Sequence, residues 1–161
     1  MPKQLTAEDG RQSLQAHAAA KGAEIREKYG PEIGWLQLLQ LLEDRVITRY
    51  PCEIVFDDSN LQPGEFAYPR PKSEDPAAGF TLFVHPHFRH QLDRVPWLVL
   101  YHLVMVNYGE FATADDAEAF ASSALGLPPD EYYRILCAMA DEIPGPTPAP
   151  SPCACGSTGC D

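Results

Sequence analysis

Basic residues are scarce in this chain. Twelve Lys and Arg stand against twenty-three Asp and Glu, a formal net charge of −11. Phosphate backbones are held by clustered cations, so a nucleic-acid partner is not expected. Long apolar runs are missing as well. No stretch approaches the about 20 apolar residues that cross a bilayer. The opening "MPKQLTAEDGRQSLQAHAAAK" has bases but no continuous apolar core of the kind a secretory signal carries. A cytoplasmic protein without membrane attachment is the expectation. Cysteine is thin in the body, where Cys52 and Cys137 stand alone in apolar contexts. That distribution excludes a disulfide framework. No Gly-rich loop precedes a helix, no G-x-S-x-G turn is present, and no basic-aromatic surface for single strands appears.

What is present is enough for one core: 161 residues, 45% of them apolar. Residues 7 to 28 read as a helix with Leu14, Ala18 and Ile25 on one face. A second helix over roughly 32 to 49 sets Ile33, Leu36, Leu39, Leu42 and Val46 at helical spacing. Three short β-prone segments follow. They are "CEIVFDD", "EFAYP" (stopped by Pro69 and Pro71) and "FTLFVHP", in which Phe80, Leu82 and Val84 share a face. The chain then returns to helix. Pro96 suits the first turn of a helix to about Tyr108, and Gly109 suits its end. Thr113 is a good N-cap for a helix to about Leu125, and a last helix starts near Pro129 with Tyr132, Ile135, Leu136 and Met139 inward. This order predicts an α+β fold: a small sheet of about three strands against a mainly helical body, residues 1 to 142. From 143 to 161 the pattern stops. Prolines at 144, 146, 148, 150 and 152 describe an extended arm ending in a cysteine-rich tail.

The strand "FTLFVHP", the helix "WLVLYHLVMVNYG" and the stretch "DAEAFASSALGLP" resemble, over about residues 32 to 127, the zincin metallopeptidases. The likeness is greatest to the compact group that includes phage-repressor-cleaving proteases. In that family an edge strand leads into a helix carrying H-E-x-x-H, and a second helix supplies a Glu ligand. The resemblance puts His102 at the first histidine and Glu118 at the Glu ligand. It fails where the chemistry lies: in "HLVMV", Leu103 stands for the general base and Val106 for the second histidine. Neither can ionise or coordinate, so the family's zinc hydrolysis is not available. The expectation is a zincin-like pseudoenzyme. His102 then reads as a neutral core histidine bonded to a backbone carbonyl or to Glu118, or else as a surviving ligand paired with Glu118.

Two other groups carry metal chemistry. "HPHFRH" places His85, His87 and His90 at H-x-H-x₂-H spacing, and imidazole suits Zn, Ni and Cu. The tail "CACGSTGC" places Cys153 and Cys155 in a C-x-C unit with Cys160 after four intervening residues, with Gly156 and Gly159 to permit a tight turn. Three thiolates fit trigonal Cu(I), while a closed Zn site needs a fourth ligand. The function expected is a non-catalytic accessory protein of metallochaperone type. It would bind a protein partner through residues 109 to 142, where Arg134 is set against eight acids. A soft metal ion would be handled by the tail. Two alternatives stay open: a metal-dependent hydrolase around His102 and Glu118, and a metal-free interaction module. The sequence leaves the oligomeric state open.

Overall fold

The computed structural model describes residues 7–143. Five helices and three strands follow in the order α1 (Ala7–Tyr29), α2 (Trp35–Glu43), β1 (Cys52–Phe56), β2 (Ala67–Pro71), β3 (Phe80–Val84), α3 (Val95–Tyr108), α4 (Ala114–Leu125) and α5 (Pro129–Asp141). Short 3₁₀ turns occupy Pro76–Ala78, Pro86–Phe88 and Gly109–Phe111. The architecture is α+β, as the element order predicts. The proline arm and the tail cysteines lie outside the described residues.

The sheet is mixed, with strand order β1-β3-β2. β1 runs parallel to β3, with Ile54 beside Leu82, and β2 runs antiparallel, with Pro69 opposite Leu82. The strand that leads into α3 is therefore the central one, whereas the zincin resemblance wants an edge strand there. The expected stop at Pro69 is not there, because β2 runs through it, while Pro71 is the last residue of the strand. The reason is which way each residue's N–H points. Phe66 O and Lys72 N bond to His85 and Gly79, so the alternate residues Tyr68 and Arg70 form the ladder with Phe83 and Thr81. Pro69 and Pro71 face outward, where no ladder bond is lost.

α3 is apolar nearly all round and forms the centre of the body. Leu98, Val99, Leu100, Leu103, Val104 and Val106 are all buried, each such side chain contributing about 1.5–3 kcal/mol on leaving water. Pro96 lies in its first turn, and Gly109, at φ 70°, ends it. α4 starts as its sequence asks. Thr113 Oγ1 accepts from Asp116 N at 3.3 Å, and Asp116 Oδ2 accepts from Thr113 N at 2.8 Å. α4 ends on Gly126 in the left-handed region.

α1 packs most extensively on α4, through the small or branched residues Ala18, Gly22 and Ile25. Gly22 is needed there, since a Cβ would fall 2.1 Å from Phe120 O. α2 is shorter than its periodicity implies. Gly34 N donates to Gln37 Oε1 at its start, and its backbone leaves helix at Asp44. Asp44 is itself fixed by Lys28 and by Tyr29 Oη at 2.8 Å, and these partners hold its carboxyl down at about 2. With that end point, the core side of α2 is Leu38, Leu41 and Leu42. Leu36, Leu39 and Val46, which the spacing placed with the core set, face solvent at 67%, 40% and 59% exposure.

Candidate functional site around His102

β2 lies against α3, and Tyr68 of β2 and Phe66 just before it bring two aromatic side chains to His102. The His102 ring meets Phe66 at 5.7 Å and 67°, Tyr68 at 6.4 Å, and Tyr101 of its own helix at 5.3 Å and 77°. These mostly edge-on contacts suit an uncharged imidazole set among ring quadrupoles. Part of the residue still reaches solvent, but Nε2 is sealed and has no hydrogen-bond partner. Burial alone pulls its pKa down to about 4. The histidine is thus neutral, as the sequence suggested, but the bond to Glu118 or to a carbonyl is not made at Nε2.

Glu118 sits half-buried on α4, and burial, then Asp115, raises its pKa. The space where a zinc peptidase would place base and second ligand is core: Leu103 is wholly buried and Val106 2% exposed. Close by, Tyr132 is fully buried, with its ring stacked 6.3 Å from Trp97 and its Oη donating to Trp97 O at 2.5 Å. Burial, with Tyr101 and Glu118 adding, pushes its phenol far above the usual range. Phe66, Tyr68 and Tyr101 thus surround His102, while Trp97 and Tyr132 stack on each other. Nothing local in the sequence signals that Tyr68 would reach the α3 histidine, or that Tyr132 of α5 would stack on Trp97.

The upstream histidines do not converge. His85 Nδ1 accepts from His87 N at 3.1 Å, and its Nε2 lies 3.6 Å from Asp58. Burial outweighs that carboxylate and lowers the His85 pKa. His87 points the other way, with Nε2 3.1 Å from Glu142 Oε1. Arg94 grips the same carboxylate in two-pronged fashion, at 2.9 and 2.6 Å. Arg94 first and His87 second hold the Glu142 carboxyl at about 2. His90 is exposed. Among the described residues no group of three or more His, Cys, Asp or Glu is placed to hold a metal ion.

Cys52 donates to Tyr50 O, and burial pushes its thiol up to about 11, so it is a poor nucleophile and ligand. Cys137 is buried on α5. Cys153, Cys155 and Cys160 lie outside the described residues. What the structure does fix is the point from which they depart: Glu142 is tied to Arg94 and His87, and Ile143 is buried. No helix among the described residues is long and apolar enough to cross a membrane. No family model matches the chain, and no curated protein or solved structure matches it either.

Proposed function

We propose that this is a non-catalytic, zincin-like accessory protein that binds a protein partner and handles a soft metal ion through Cys153, Cys155 and Cys160. One observation carries the reading: the soft donors are concentrated after Ile143, while the candidate donors of the body are committed or exposed singly. His102 Nε2 is sealed, His85 and His87 face Asp58 and Glu142, and the Cys52 thiol is shielded. The C-x-C-x₄-C spacing gathers three sulfurs on one ion, Cu(I) or Zn, with a fourth zinc ligand supplied from outside the tail. Five prolines carry them away from the body, over a reach of about 3.1 Å per residue. Exposed acids on α4 and α5, among them Asp115, Asp130, Glu131 and Asp141, offer a basic client an acidic surface.

Metal content of untagged protein purified anaerobically under reducing conditions tests this. The intact chain should carry about one Cu or Zn per molecule when loaded, and a chain cut after Ile143 should carry none. Equal metal in both forms would remove the tail from the account. If the body keeps the metal and His102→Ala abolishes it without unfolding, the hydrolase reading around His102 and Glu118 takes its place.

A further inference from the structure

The two outer edges of the sheet are built differently. On β2 the outward positions are Ala67, Pro69 and Pro71, so two of three outward N–H groups are missing and a further strand cannot be held there. β1 has no such protection. Phe80 N donates to Pro51 O and Asp57 N to Val84 O, which assigns the odd residues of β1 to the β3 ladder. The N–H and C=O groups of Cys52, Ile54 and Phe56 therefore face outward, and no strand flanks them among the described residues. One of these groups, Phe56 O, is met by Arg89 Nη2 at 3.2 Å; a carbonyl keeps a second lone pair.

The charges along this edge are polarised. At the Cys52 end stand Arg45 and Arg49, with Lys72, which like Arg45 acts on the Cys52 thiol, paired to Glu53 at 2.9 Å. At the Phe56 end Asp57 and Asp58 outnumber Arg89, so that end stays net acidic. A strand that is basic at its start and acidic at its end complements itself when a second copy runs antiparallel. We infer that the β1 edge is a two-fold interface with a second copy of this chain, joining two three-stranded sheets into one of six.

Centred on Ile54, this pairing sets Cys52 against Phe56 of the second copy and closes their outward backbone groups in both directions. Glu53 then opposes Val55 rather than another Glu53, and Arg49 comes next to the second copy's Asp57 and Asp58. Leu36 and Leu39, exposed on the helix that packs beside β1, extend the contact as apolar surface. Both ends of the six-stranded sheet are β2, blunted by Pro69 and Pro71. The assembly therefore closes at two copies instead of growing. This inference is independent of the tail's metal chemistry.

Sedimentation equilibrium of the full chain, with and without Ile54→Pro, tests it. The substitution deletes the central outward N–H and spares the β3 ladder, which uses Glu53 and Val55. The unaltered chain and an Ile54→Val control should show twice the 17.8 kDa chain mass, and Ile54→Pro should show the single-chain mass with unchanged far-UV dichroism. Should the proline variant fail to fold, amide exchange on the unaltered chain decides. The Cys52 and Ile54 amides should slow by about tenfold as concentration rises through the dimer range, with Glu53 and Val55 unchanged. A single-chain mass at high concentration overturns the inference, as does a dimer that survives in folded Ile54→Pro. Ile54 protection that is independent of concentration assigns the edge to another segment of the same chain, and also overturns it.

Discussion

Replacing His102 by leucine should flatten the acid side of the stability profile. Imidazole titrates near 6.5 in an unfolded chain and near 4 in its site here, with burial as the cause. The folded state disfavours the charged form, so the group costs nothing through protonation above pH 6.5. As pH falls below that value the unfolded chain takes up the proton first, and stability drops by about 1.4 kcal/mol per pH unit. The loss reaches about 2 kcal/mol near pH 5 and about 3 kcal/mol near pH 4, below which the folded histidine also protonates and the slope ends. Because part of the residue reaches solvent, these are upper values. Asp44, held at about 2, acts in a lower window, below its ordinary 3.8, and is common to both proteins. Urea midpoints of the unaltered chain and of His102→Leu should be compared every half unit from pH 7.5 to 4. The difference between them should grow by about 2 kcal/mol from pH 7 to 5. At pH 7 the leucine variant should match or exceed the parent, since an unpaired buried nitrogen costs about 1–3 kcal/mol. Parallel curves would refute the burial argument, and a variant much weaker at pH 7 would show that Nε2 has a partner worth keeping.

Two further substitutions probe how the body is held. Gly22→Ala should destabilise by about 1–3 kcal/mol in chemical denaturation, because its methyl meets the Phe120 carbonyl and α1 must lift from α4. Asn107→Leu should cost about 2–4 kcal/mol, since it strips Arg49 N and Ile47 O of their partners at 2.8 Å while leaving the helix apolar; a near-neutral result would mean water replaces the amide freely.

The elements that could be read from the sequence are those whose signals are local. Pro96 and Gly109 bracket α3, and the Thr113–Asp116 box starts α4, at the residues that carry those preferences. The core face of α2 could not be read, because in "WLQLLQLLE" leucine occupies both sides of the helix. Which side is buried depends on where Asp44 is pulled by Lys28 and Tyr29, a contact about fifteen residues away in sequence. Proline misled at β2 for a related reason. Its effect on a strand depends on the direction of the N–H, and that is set by the register against β3. At the candidate site, the apolar character of Leu103 and Val106 beside His102 can be read directly. The aromatic contacts of His102 cannot, since Tyr68 arrives from β2 and Phe66 from the residue just before it.

β2 adds a second argument to the one carried by Leu103 and Val106. A peptidase that works on extended chains needs, beside its ligating helix, a sheet edge whose N–H and C=O groups can hold the substrate backbone. The strand beside His102 is β2, and of its outward positions only Ala67 carries an N–H. Pro69 and Pro71 remove the rest, and Tyr68 of the same strand and Phe66 just before it press on the imidazole. Placing a carboxylate at Leu103 and a histidine at Val106 would therefore supply a base and a second imidazole without an open β2 edge to hold an extended substrate. Among the described residues, the apolar Leu103 and Val106 and the proline-blocked edge of β2 fall at the same spot and for unrelated physical reasons.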